Sequence, residues 1–94
     1  MVSINMSYIG KLIIDTSESI RKILQDRREA EAVKLAKLRF KGLILELQAL
    51  LKEDDEDTLT KLNMLKIELD AATTKEDISK LIKKLSGITG RKYP

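Results

Sequence analysis

The chain has 94 residues, enough for one domain with a single hydrophobic core and too few for two. Its hydrophobic fraction of 43% is ordinary for a folded protein, so the composition argues against disorder along the whole chain. Because it contains neither cysteine nor histidine, disulfides, thiol nucleophiles, imidazole bases and the usual zinc ligands are excluded. We therefore expect a cytoplasmic protein with no catalytic residues, no cofactor and no metal.

Charge is distributed unevenly along the chain. The formal net charge is +3, but residues 53–57 are all acidic, so the rest of the chain is more basic than this total suggests. A basic surface moderately favours an anionic partner. No uncharged apolar run approaches the roughly 20 residues that a membrane-spanning helix needs, so we expect no such span.

The first predicted element is an amphipathic helix over about residues 4–26. Its apolar residues recur at 3.6-residue spacing, and charged residues occupy the opposite face. Asp15 and Glu18 could instead form a capping box that starts a new helix, but the unbroken apolar stripe favours one helix. That stripe consists of Ile9, Leu12, Ile13, Thr16, Ile20, Ile23 and Leu24.

The second predicted helix, about residues 27–52, is apolar on two nearly opposite sides. Its main stripe is Val33, Ala36, Phe40, Leu43, Ile44, Leu47, Leu50 and Leu51. Its second stripe is Leu35, Leu38, Gly42, Leu45 and Ala49, in which glycine would allow a close approach of another backbone. Two interpretations of the second stripe stay open. It packs within the bundle, or it forms a homodimer seam or a groove for a partner helix.

The junction between the first two helices contains no residue that breaks a helix. A continuous helix over residues 4–52 would be about 70 Å long and could not fold into a compact monomer. The apolar stripe lapses at the junction, and Asp26 with Glu29 could cap a new start. We therefore predict a turn near residues 26–29.

Two shorter helices are predicted after the acidic run of residues 53–57, which we interpret as a solvated loop. A basic partner or a cation could also bind this run, but it lacks the glycine of an EF-hand loop. Asp57 or Thr58 would cap a third helix over about residues 58–72. Thr74 would cap a fourth helix, and Gly87 would end it.

These elements predict an all-α fold, a small antiparallel bundle of three to four helices. Residues 1–86 would form the single helical domain, and residues 87–94 a basic, mobile C-terminal tail. The lysines of the fourth helix could face an anionic membrane, but that helix is short and lacks Trp and Phe, so we expect no membrane binding.

A basic helical face is the main alternative candidate for function. It would contact the phosphates of a nucleic acid without reading bases, since the chain has no zinc module and no aromatic stacking platform. An ordinary solvated face would have the same composition. The residues concerned are Arg27, Arg28, Lys34, Lys37 and Lys41.

The leading functional hypothesis is a non-enzymatic protein–protein interaction module, such as an accessory subunit, an adaptor or an inhibitor of the immunity type. It would bind a protein partner, or a second copy of itself, through Leu35, Leu38, Gly42, Leu45 and Ala49. The alternative is an accessory factor of a nucleic-acid-processing complex that uses the basic face. A third hypothesis, an enzyme that relies on arginine, lysine and glutamate, would require a polar cavity inside the bundle.

Overall fold

Four α-helices make up most of the described part of the chain in the computed structural model. The described residues are 6–51 and 55–90, with only the backbone described for residues 6 and 7. The helices are α1 (Met6–Ile23), α2 (Glu29–Leu51), α3 (Glu56–Ala71) and α4 (Lys75–Thr89). No strand occurs in these two ranges. The predicted all-α bundle is therefore confirmed, with four helices.

Each helix packs against the next one along the chain. α1 packs against α2 and α4, and α3 packs against the same two helices. α2 and α4 also contact each other, whereas the described parts of α1 and α3 do not. The bundle measures 46 × 22 × 19 Å, and α2 is its longest helix.

The turn predicted between the first two helices is confirmed at residues 24–28. Asp26 Oδ1 accepts a hydrogen bond of 2.9 Å from the backbone N–H of Arg28, which replaces the helical pattern there. The Arg28 guanidinium also lies 3.1 Å from the Asp26 carboxylate. The hydrogen bonds from the Arg28 guanidinium, and that from its backbone N–H, lower the pKa of Asp26. Lys75, at the start of α4, donates to the Asp26 carbonyl and so connects the turn to α4.

α3 begins earlier than predicted. Its N-cap is Asp55, whose carboxylate accepts the Thr58 N–H at 3.1 Å and the Thr58 hydroxyl at 2.6 Å. The prediction that Asp57 or Thr58 caps this helix is therefore wrong, since Asp57 lies in the first turn and Thr58 is the capped residue. An acidic run offers several equivalent capping side chains, so composition alone could not choose among them. Residues 53 and 54 of the run lie outside the described residues.

The predicted cap of α4 is confirmed. Thr74 Oγ1 accepts the Asp77 N–H at 3.1 Å, and Asp77 Oδ2 accepts the Thr74 N–H at 3.1 Å, which forms a capping box. A further hydrogen bond of 3.0 Å from the backbone N–H of Thr73 reaches the same carboxylate. These backbone donors favour the ionised form and lower the pKa of Asp77.

The predicted end of α4 at Gly87 is wrong, because the helix continues to Thr89. Gly87 has no positive φ and stays helical. Ile88 packs against the core and Thr89 is buried, so apolar packing extends the helix by this last turn. The tail predicted from residue 87 thus begins too early, and residues 91–94 lie outside the described residues.

The core confirms the main stripe of α2, except at one position. Seven of its eight residues are buried, whereas Leu50 is 37% exposed. Ile9, Ile13 and Ile20 of α1 pack into the same core, together with residues of the other two helices, which are Leu62, Leu65, Leu69, Ile78, Leu81, Ile82 and Leu85. No helix in the described part of the chain is long and apolar enough to cross a membrane.

Candidate partner-binding surface

The second apolar stripe of α2 lies on the surface of the bundle. Leu35 is 51% exposed, Leu38 62% and Leu45 48%. Gly42, which lies between Leu38 and Leu45, and Ala49, which follows Leu45, are exposed too. The interpretation that this stripe packs within the bundle is therefore wrong. We call these five residues the outer face of α2.

The position of the outer face follows from the packing of α2. The main stripe already faces the core and takes up the contacts with α1, α3 and α4. The second stripe projects from nearly the opposite side of the same helix, so none of these three helices can cover it. The outer face is therefore an apolar surface that does not take part in the core of the bundle.

An open groove of about 800 Å³ runs beside the outer face, between α1 and α2. α1 contributes Leu12, Thr16, Ser19 and Ile23 to this α1–α2 groove. α2 contributes Leu35, Leu38 and Gly42 from the outer face, together with Arg39, Leu43 and Glu46. Leu12, Thr16, Ser19 and Ile23 are half-buried, so the α1 side of the groove is partly apolar and partly hydroxyl-lined.

Sequence reasoning missed the contribution of α1 to this groove. The periodicity of α1 indicates one apolar face, but only Ile9, Ile13 and Ile20 of its predicted stripe are buried. The available signal was the pair of small polar residues, Thr16 and Ser19, on the edge of the stripe. Small side chains there leave space between α1 and α2 that larger apolar residues would have filled.

Gly42 has no structural reason within the chain to be a glycine. It lies in the middle of α2, and a Cβ atom added there would have no atom within 4 Å among those described. Glycine inside a helix costs about 0.5–1 kcal/mol relative to alanine. The space above Gly42 is therefore open to a close approach from outside the chain.

Two opposite charges border the outer face on its α1 side. Arg39 and Glu46 are seven residues apart, which places them on nearly the same side of α2, and both are exposed groove residues. Within the part of the chain that the structure describes, neither side chain has an ion-pair partner. Both charges are available to a molecule that covers the groove.

The five basic residues of the predicted nucleic-acid face are used in different ways. Lys37 donates to the backbone carbonyls of Asp70 and Ala72, at 3.0 and 2.9 Å, and so satisfies carbonyls at the C-terminal end of α3. Lys41 lies 3.8 Å from the Asp70 carboxylate. Arg28 contacts the carboxylates of Asp26 and Glu31.

The other two residues of that face, Arg27 and Lys34, are exposed and have no ion-pair partner among the described residues. Three of the five side chains therefore make contacts within the chain. A phosphate would compete with those contacts or rely on Arg27 and Lys34.

The buried polar residues of the described chain are Ser17, Thr58 and Thr89. Thr89 donates to the Leu85 carbonyl at 2.9 Å, and the Thr58 hydroxyl donates to Asp55. The Ser17 hydroxyl has no partner among the described residues. No charged side chain belongs to this buried set, and the α1–α2 groove is open to solvent. The polar groups buried among the described residues are thus three hydroxyls and no charged group.

Comparison of the chain with protein-family models, with curated proteins and with solved structures found no match.

Proposed function

We propose that this protein is a non-enzymatic interaction module that binds a protein partner through the outer face of α2. One observation carries the proposal: three leucines on one helical face are about half exposed, on a helix whose opposite face is buried. Single exposed leucines are normal on protein surfaces. Three in line, beside a groove with further apolar residues, form the kind of contiguous patch that marks a binding surface.

The shape of the patch favours a helical partner. A ridge formed by Leu35, Leu38 and Leu45 next to an elongated groove matches the way in which an amphipathic helix packs its apolar face on another protein. Such binding would suit an adaptor, an accessory subunit or an inhibitor of the immunity type. The basic face offers a weaker candidate function, because Lys37, Lys41 and Arg28 have partners within the chain.

The test compares two leucine-sized positions of equal exposure. Leu38 lies on the outer face, and Ile67 lies on α3; both are 62% exposed. We expect the wild-type protein and Ile67→Glu to elute as part of a larger complex from an extract of the cells that produce the protein. Leu38→Glu should elute at the size of the free chain, since a buried, unpaired carboxylate would oppose binding.

Circular dichroism should show that both variants keep the helical fold, because both side chains already face solvent. A complex that Leu38→Glu retains as well as Ile67→Glu does would contradict the proposed function.

A further inference from the structure

The outer face of α2 has a nearly self-complementary arrangement about Gly42. Leu35 and Ala49 lie seven residues before and after this glycine, and Leu38 and Leu45 lie four before and three after it. If two α2 helices pack antiparallel, a two-fold axis perpendicular to them passes near both copies of Gly42. Leu38 of one copy then meets Leu45 of the other, and Leu35 meets Ala49, so a large side chain faces a small one.

The two charges on the α1 side of the outer face have the same symmetry. Arg39 and Glu46 lie three residues before and four residues after Gly42, on the same edge of the outer face. A two-fold axis of this kind keeps that edge on one side of the pair. Arg39 of each copy therefore comes opposite Glu46 of the other, which gives two ion pairs of opposite charge. A parallel pair would instead place this edge of the two copies on opposite sides of the pair, where Arg39 and Glu46 could not form these ion pairs.

Gly42 supplies a separate reason for two helices to approach closely at this point. The chain itself leaves the space above Gly42 open, and glycine reduces the stability of an isolated helix. A backbone that crosses near the two-fold axis would use that space, because no Cβ atom keeps the two helices apart. Gly42 is the one residue of the outer face without a Cβ atom, and it lies at the centre of the symmetric pairing.

We propose that a second copy of this chain covers the outer face of α2, antiparallel to the first, with a two-fold axis near Gly42. This inference rests on the proposed function and names its partner. The α1–α2 groove lies along the edge that carries Arg39 and Glu46, so the two grooves face each other. The ion pairs then lie between them, where like charges would be strongly unfavourable.

Charge exchange tests this arrangement. Purified wild-type protein should dimerise with rising concentration in sedimentation velocity. Arg39→Glu and Glu46→Arg should each weaken dimerisation by about tenfold or more, because each variant creates two like-charge contacts. An equimolar mixture of the two variants should dimerise again, since one copy then carries two acids where the other carries two bases. Thermal melting of each variant checks that the monomer remains folded.

Cysteine cross-linking tests the direction of the helices, because the natural chain has no cysteine. Leu35→Cys alone should not form a disulfide-linked dimer on oxidation, since two copies of position 35 would be about 21 Å apart along an antiparallel pair. It should form a mixed dimer with Ala49→Cys. Self-linkage of Leu35→Cys would show a parallel arrangement and overturn the proposal.

The outcomes separate this inference from the proposed function. A mixture of Arg39→Glu and Glu46→Arg that stays monomeric, while wild-type protein dimerises, overturns the antiparallel pairing. Purified wild-type protein that is monomeric at every concentration also overturns it. If Leu38→Glu still abolishes a larger complex in cell extract, the proposed function stands with a different partner. If Leu38→Glu leaves that larger complex intact, both the proposed function and this inference are wrong.

Discussion

At the scale of single residues, two glycines near the end of α4 differ in whether the local geometry excludes a side chain. A Cβ atom at Gly90 would lie 2.6 Å from the Ser86 carbonyl oxygen, so the local geometry excludes one unless the backbone shifts. At Gly87 a Cβ atom would have no described atom within 4 Å, and the residue is helical. Of these two glycines, only Gly90 is therefore required by the local geometry.

Alanine substitution should have opposite effects at these two positions. Gly87→Ala should raise the free energy of unfolding by about 0.5–1 kcal/mol, because alanine restricts the unfolded chain and fits the helix without contact. Gly90→Ala should lower it. Urea denaturation followed by circular dichroism measures both values. A destabilised Gly87→Ala variant would show that this position is more crowded than the geometry indicates.

At the scale of helices, the periodicity of the sequence predicted which sides of a helix are apolar better than it predicted where each helix ends. The two stripes of α2 follow from 3.6-residue spacing alone, and the main one forms the core. Spacing could not tell whether the second stripe faced a neighbouring helix, since that depends on how the other three helices are arranged. The helix ends depend on single contacts, such as those made by Asp55 and Gly90, which periodicity does not reveal.

The extent to which neighbouring helices cover α1 could not be predicted for the same reason. Leu12 and Ile23 have the spacing of core residues, yet α1 packs against α2 and α4 in a way that leaves them half-buried. A stripe on a helix indicates which side is apolar. It does not indicate how much of that side a neighbouring helix covers.

Lys37 contributes to the packing of α2 against α3, and this contribution can be measured. Lys37→Met should lower the free energy of unfolding by about 1–2 kcal/mol, because the carbonyls of Asp70 and Ala72 lose a charged donor. Lys34→Met is the matched control, since Lys34 is exposed one turn earlier on the same helix and has no partner among the described residues. Its stability should be close to wild type in the same urea titration. Equal effects of the two substitutions would contradict a structural role for Lys37.

At the scale of the whole molecule, the arrangement of the helices explains why one face of α2 is left apolar. α2 contacts each of the other three helices, so its main stripe must be wide. An ion pair of 2.8 Å between Lys84 and Glu68 connects the polar surfaces of α3 and α4. The surface of α2 that faces away from all three neighbours instead carries exposed leucines, which a monomer does not need for its own stability.

Photo-cross-linking from within the outer face of α2 tests most directly whether a partner covers this face. A benzophenone side chain would be placed at position 38 of the full chain, with position 67 on α3 as the control of equal exposure. We expect one defined protein adduct from position 38, which the additional substitution Leu45→Glu abolishes, and none from position 67. The absence of an adduct from position 38, or equal labelling from both positions, would contradict the proposed function.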